Sequence, residues 1–469
     1  MRTEPIAPSL RVGRGRPDPL ELIRGLEPKA ALAAELKPAL SDRDALAEAY
    51  RCLECGTPEV PAPCQVACPA EVDVAGFVGR IARGDAGGAA RLILSSNPVG
   101  GSCARVCPTE LLCEGACVLN TARDRPVDIG RLQRYAMDAA FADPASLVVD
   151  LPVKNGLRVA VIGAGPAGLA TAAFLEGAGF IVTIFDDRPK AGGLVRYAIA
   201  PYRLWDEPLP EEQSWLAGLG VEFRLEHPIQ SPVDLRDLEA EYDAVVLAVG
   251  LGPDVRTQYP GGELPGIYES LPFIEAVKTD RPPAMGRRVA VIGGGNTAID
   301  VAREALRLGA AEVTLVYRRT EAEMPAYPEE VAGARREGIR FQFLASPVAF
   351  RGSSHVEAVV AQVMRLGEPD ATGRRRPEPV PGETVEILAD SVVMAIGQEP
   401  RLTFLRMIPG LEIDRGRIVA DPKTGATGNP RYFAAGDAVN GGDTVVAAVH
   451  LGKVAAHGVR QALLGGDAP

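Results

Sequence analysis

The chain has 469 residues, 46% of them hydrophobic and 24% charged, which is ordinary for a core-forming protein of two to four domains. Its formal net charge of -11 speaks against a nucleic-acid partner, which would require a basic face. The apolar run from Val159 to Leu175 is broken by Gly163, Gly165, Pro166 and Gly168, a pattern of strand, turn and helix rather than of a membrane span.

Residues 1 to about 18 read as a loose tail, rich in Arg and Pro. The tail lacks the apolar segment of a secretion signal, so a cytoplasmic protein is expected. From Asp18 to Tyr50 the composition is rich in Ala, Leu and Glu and the pattern is helical. Ser41 is placed to cap the helix that delivers Cys52. All eight cysteines then follow in two quartets, Cys52-x2-Cys55-x8-Cys64-x3-Cys68 and Cys103-x3-Cys107-x5-Cys113-x3-Cys117. Such clustering, with Cys68-Pro69 and Cys107-Pro108, points to iron–sulfur ligation. Disulfides are disfavoured in a reducing compartment. Zinc stays open, because Cys52-x2-Cys55 alone would suit a zinc knuckle. Between the quartets, Val74, Phe77, Val78, Ile81 and Leu92 recur at helix spacing, so Asp73 to Ser96 is predicted helical. A helical module over residues 1–145 results.

The texture then changes. The apolar strand Arg158–Ile162 feeds Gly163-Ala164-Gly165-Pro166-Ala167-Gly168 and a helix. This is the dinucleotide fingerprint in context: Gly163 for the turn, Gly165 for approach of the pyrophosphate, Gly168 for close helix–strand packing. The helix N-terminus offers unpaired N–H groups to the phosphates. The next strand, Phe180–Phe185, ends at Asp186, placed for the ribose hydroxyls of an adenosine. The same unit recurs about 130 residues on, where Arg288–Ile292 feeds Gly293-Gly294-Gly295-Asn296-Thr297-Ala298.

Near the end, Tyr432–Ala435 leads into Gly436-Asp437, with a helix from about Thr444 through Val445 and Val446. In flavoproteins with two dinucleotide units such an Asp binds the ribityl chain, and the helix N-terminus favours an anionic reduced flavin. FAD is therefore expected on the first unit. Gly192, Gly193, Leu194 and Arg203 lie where such proteins close over the flavin. In the second unit the strand Val313–Tyr317 ends in Arg318-Arg319 instead of an acid. Two arginines suit a 2′-phosphate, so NADPH is expected over NADH.

The expected fold is α/β: a helical iron–sulfur domain (1–145), an FAD-binding Rossmann-like domain in two parts (146–280 and 396–469), and a nested NADPH-binding one (281–395). From about residue 40 to the end the chain resembles the flavoprotein iron–sulfur electron-input subunits of the glutamate synthase small-subunit family. That group includes the amino-terminal half of dihydropyrimidine dehydrogenase and its separate bacterial NAD(P)-binding subunit. The resemblance rests on Arg51-Cys52-Leu53-Glu54-Cys55, Cys64-Gln65-Val66-Ala67-Cys68-Pro69, Cys107-Pro108-Thr109-Glu110, Leu112-Cys113-Glu114-Gly115-Ala116-Cys117, and Arg318-Arg319 with Met324-Pro325-Ala326. Asp128–Arg134, with Gln133, and Asn97-Pro98 lean toward the pyrimidine branch, with glutamate synthase as the alternative.

The resemblance implies two 4Fe-4S clusters. One would be held by Cys52, Cys55, Cys64 and Cys117, and the other by Cys68, Cys107, Cys113 and Gln133, with Cys103 unliganded. Spacing alone would give two plain quartets. The loop Glu59-Val60-Pro61-Ala62 lengthens the gap before Cys64 relative to the family, and Ala198 and Ala200 replace the family's Gly and Pro. The expected activity is electron transfer from NADPH through FAD and the clusters to a partner catalytic subunit or a ferredoxin, with no side chain acting as acid or base. The four histidines, His227, His355, His450 and His457, form no sequence cluster. Two other classes compete. A disulfide reductase would need a redox cysteine pair near the flavin, and no cysteine follows Cys117. A zinc-containing assembly protein would be colourless.

Overall fold

The computed structural model describes residues 23, 25–57, 59–122, 124–369 and 373–465; most of the expected loose tail lies outside them. The Asp18–Tyr50 stretch is not one helix. Pro28–Ala33 and Asp42–Ala49 (α1) are separate helices, and Pro38 stands in the extended segment between them. Ser41 caps α1 as expected, its hydroxyl accepting the Asp44 N–H at 3.2 Å. The stretch between the quartets is likewise two helices, Val74–Ala82 (α2) and Ala86–Leu94 (α3), parted at Gly84, where φ is +79°. Asp73 and Asp85 cap them by accepting the N–H groups of Gly76 and Gly88. Gly100–Val106 (α4) and Ile129–Ala142 (α5) complete the helical module. Buried Glu48 on α1 ties it to the segment before α5, accepting from Arg51 at 2.7 Å and from the Asp128 N–H at 2.8 Å.

Two parallel five-stranded sheets follow. The first contains Arg158–Ile162 (β1), Ile181–Phe185 (β2), Glu222–Arg224 (β3) and Ala244–Leu247 (β4), and is completed by Tyr432–Ala434 (β15), in the order β15-β4-β1-β2-β3. Helix Pro166–Gly177 (α6) leaves β1. The second contains Ile267–Glu269 (β5), Arg288–Ile292 (β6), Glu312–Tyr317 (β7), Arg340–Phe343 (β8) and Ser391–Met394 (β12), in the order β5-β12-β6-β7-β8. Helix Asn296–Arg307 (α7) leaves β6. Strand β5 falls within residues 146–280, the span expected for the first unit, yet it pairs with β12 of the second. Ala345–Arg351 (β9), Ala358–Pro369 (β10) and Arg375–Leu388 (β11) form a separate antiparallel sheet. Ile413–Asp414 (β13) and Arg417–Ile418 (β14) form a small ribbon. The chain closes on the 20-residue helix Val445–Leu464 (α8).

One continuous apolar core joins the helical module to the first sheet, running from Ala45 and Phe77 through Leu132 and Leu169 to Val449. The second unit has its own core. Buried charge locks the two units together. Arg203, expected over the flavin, spends its guanidinium here, donating to Asp300 at 2.7 Å and Glu330 at 2.7 Å. Tyr202 also donates to Asp300, at 2.6 Å, and Arg303 to Glu330, at 2.7 Å. A long guanidinium with two carboxylates in reach satisfies its donors there, so Arg203 is a joint between units. Among the described residues no helix is long and apolar enough to cross a membrane.

Candidate functional site

The first glycine loop meets each spatial demand of a pyrophosphate cradle. A side chain at Gly163 would overlap the Ala248 carbonyl, and one at Gly168 the Gly163 carbonyl. At Gly165 the nearest atom to an added Cβ is the Gly193 Cα, 3.8 Å away, so space lies open there. Ala164 is buried, and Pro166 and Ala167 begin α6. Asp186 steadies the loop itself: one carboxylate oxygen accepts the Ala164 N–H at 2.6 Å, the other the Arg188 N–H at 2.8 Å. It also lines a cavity of about 370 Å³ with Gly163, Phe185 and His227. Nothing in the sequence marks His227, whose ring lies 5.4 Å from that of Phe185. The sequence also gives no sign that Arg401 and Leu402 close the cavity's far wall.

Gly193, at φ +52°, starts the one-turn helix Leu194–Tyr197 against Gly165. On the opposite side of the cradle, Gly436 turns at φ +73° and leads into the one-turn helix Asp437–Asn440, which the sequence did not announce. Asp437 is the decisive side chain. Its Oδ1 is buried with no hydrogen-bond partner among the described residues, and burial lifts its carboxyl to about 6. A buried acceptor without a donor is costly; the hydroxyls of a ribityl chain would satisfy it. Thr444 caps α8, accepting the Ala447 N–H at 3.1 Å, and Val445 and Val446 form its first turn. Val446, expected to face the flavin, lies near Cys107, and its backbone helps to lower that thiol. The helical module and α8 share one apolar core.

In the second unit a side chain at Gly293 would overlap the Ala395 carbonyl, whereas Gly295 is open to within 4.0 Å of Pro325. Asn296 anchors the following segment by accepting the Tyr327 N–H at 2.9 Å, and Thr297 follows it in the first turn of α7. Arg318 and Arg319 part company. Arg318 is exposed at the end of β7, while Arg319 is buried, its Nε donating to the Arg375 carbonyl of β11 at 2.9 Å. Successive residues at a strand end face opposite ways, so only Arg318 remains turned outward.

The cysteines do not group as two plain quartets. Cys52, Cys55, Cys64 and Cys117 line one apolar cavity with Val74, Val78 and Ile129. The lengthened loop before Cys64 closes on itself, Thr57 N–H to Val60 carbonyl at 2.8 Å, and still returns Cys64 to its place. Cys68, Cys107 and Cys113 are mutual neighbours on the other side. Gln133 projects from α5, its amide nitrogen donating to the Gly100 carbonyl at 2.6 Å, which leaves its oxygen as the end able to ligate. Cys103 is buried and donates to Cys107. That bond holds the Cys107 thiol below its ordinary value, against the cost of burial, and raises Cys103 well above its own. Burial pushes Cys64 up to about 12. Protonated thiols in an apolar pocket gain from a cationic cluster that binds them as thiolates. Among the described residues no three His, Cys, Asp or Glu side chains converge as a single zinc ion requires.

Residues 157–452 match the pyridine nucleotide-disulphide oxidoreductase family, and residues 29–144 match dihydropyrimidine dehydrogenase domain II, 4Fe-4S cluster. The chain is 38% identical to the glutamate synthase [NADPH] small chain of Halomonas elongata, across 95% of this chain and 96% of that one. The chain belongs to the glutamate synthase small-chain family. It is also 39% identical to the NADP(+)-dependent formate dehydrogenase subunit beta of Moorella thermoacetica, over 87% of this chain and 60% of that one. Mycobacterium tuberculosis FprA, solved with NADPH, shares the fold at 22% identity and a TM-score of 0.54, over 66% of this chain and 85% of that one. The members of this family are NADPH oxidoreductases, and FAD, NADPH and 4Fe-4S iron–sulfur are the cofactors of this chain. The lean toward the pyrimidine branch is not supported; the full-length likeness is to glutamate synthase small chains. Gln133 and its neighbours lie within the helical module, which the glutamate synthase small chain also matches, so they do not single out the pyrimidine branch.

Proposed function

We propose that this chain is the electron-input subunit of a glutamate synthase-type complex, taking electrons from NADPH and delivering them to a separate catalytic subunit. The observation that carries this reading is the likeness to a glutamate synthase [NADPH] small chain over nearly the whole of both chains. Within the chain, one apolar core joins the cysteine-bearing helical module to α8, which supports a short path between flavin unit and clusters. Bound flavin supplies conversion between two-electron and one-electron chemistry. The protein's own contributions are binding and orientation. Gly165 leaves room for the pyrophosphate, Asp186 steadies its loop, and Asp437 offers an acceptor to the ribityl chain. Cys52, Cys55, Cys64 and Cys117 would hold one cluster; Cys68, Cys107, Cys113 and Gln133 would hold the other. An amide ligand makes the second cluster less negative and raises its potential.

The purified chain should reduce an artificial dye with NADPH, make no glutamate by itself, and make glutamate from glutamine and 2-oxoglutarate once a glutamate synthase large chain is added. Glutamate formation by the isolated chain would sink the subunit reading, as would its reduction of uracil.

For the nucleotide, the exposed guanidinium of Arg318 is assigned to the 2′-phosphate and buried Arg319 to holding β7 against the hairpin. A charge-assisted bond is worth about 1.5–3 kcal/mol. Arg318→Ala should therefore raise KM for NADPH roughly ten- to hundredfold and leave that for NADH nearly unchanged. Equal KM values for NADPH before and after the change would refute the assignment.

A further inference from the structure

Residues 27–40 form a strap across all three parts of the molecule. Helix Pro28–Ala33 buries Leu32 in the core of the second unit, and Lys29 pairs with Asp280 at 2.6 Å. The Leu36 N–H bonds to the Tyr202 carbonyl at 3.1 Å. Beyond it the strap lies on α5: Arg134 donates to the Glu35 carboxylate at 2.7 Å and the Lys37 carbonyl at 2.6 Å, and Arg131 to the Pro38 carbonyl at 2.7 Å. These bonds hold Lys37 half-buried, its Nζ 2.6 Å from the carbonyl of Cys107 and 3.5 Å from the Thr109 hydroxyl. Its charge bears on the Cys107 and Cys113 thiols and, across the joint, on Glu330.

We propose that Lys37 is a positioning residue that raises the reduction potential of the cluster held by Cys68, Cys107 and Cys113. This rests on the ligand assignment proposed above. Reduction adds one negative charge to a cluster, and a cation fixed beside it in a medium of effective dielectric about 20 favours the reduced state. The anchor on the Cys107 carbonyl keeps the charge at a constant distance. A lysine swinging in water would be averaged and screened. Glu110 acts on Cys107, and Glu114 on Cys113, in the opposite sense, so Lys37 offsets carboxylates already present.

The test is a redox titration of the full chain followed by electron paramagnetic resonance, with iron counted in parallel. Lys37→Gln keeps a donor but loses the charge. It should retain iron and make reduction of one cluster about tenfold less favourable, a fall of about 59 mV for a one-electron couple. Lys37→Arg should stay within about twofold of the parent. An unchanged potential in Lys37→Gln, equal shifts in the Gln and Arg variants, or loss of iron from both would each overturn the proposal. Failure of the ligand assignment reads differently: Cys103→Ser would then lose about half of its iron.

Discussion

Replacing Cys117 by serine should cost the purified protein about half of its iron and acid-labile sulfide, while replacing Cys103, the first cysteine of the same sequence quartet, should cost none. The reason is where the chain carries them. Cys117 lines the cavity with Cys52, Cys55 and Cys64, three residues from the other quartet, and removing one thiolate of four leaves that cluster without a corner. Cys103 is buried on α4 and serves Cys107 as a donor. Serine there keeps a donor and changes little in volume. Iron and sulfide analysis after anaerobic purification reads both variants. Equal loss from the two would restore the plain quartets and remove Gln133 from the ligand set.

The second large effect separates two glycines of one loop. Gly168→Ala places a methyl against the Gly163 carbonyl, backbone on backbone, which cannot be relieved by a rotamer change. Over-packing of this kind costs roughly 1–3 kcal/mol or more, so the variant should melt earlier and lose flavin together with stability. Gly165→Ala meets no protein atom closer than 3.8 Å. Its methyl fills only the space reserved for the pyrophosphate. That variant should fold normally, yet bind FAD about tenfold to a hundredfold more weakly, or roughly 1.4–2.8 kcal/mol. Melting temperature and flavin absorbance, measured on the same samples, distinguish the outcomes. If Gly165→Ala kept its full flavin content, the cradle would have been misplaced.

What could be read from the sequence was whatever local geometry dictates. The glycine loops, Asp186, Asp437, the Ser41 cap and the helix start near Thr444 are set by spacing within a few residues of themselves, and the sheets formed around them. The interleaving of the cysteines was not accessible from spacing, because it depends on how α1, α2 and α5 pack; only family resemblance anticipated it. Arg203 shows the limit of such local reading. A basic residue near a flavin loop looks like a cofactor ligand until Asp300 and Glu330 arrive from a hundred or so residues away. Arg319 is similar, since nothing near β7 in the sequence marks its bond to the Arg375 carbonyl of β11. Strand β5, inside the span expected for the first unit, pairs in the second sheet, and its three residues carry almost no periodicity to mark it.

The continuous apolar interior shared by the helical front end and α8 has an evolutionary consequence. Exchanging the front end for that of a distant cousin would present a foreign face to Val449 and its neighbours. Fusion and shuffling in such a lineage are therefore expected to move the whole chain as one cassette, joined to new catalytic modules at its ends.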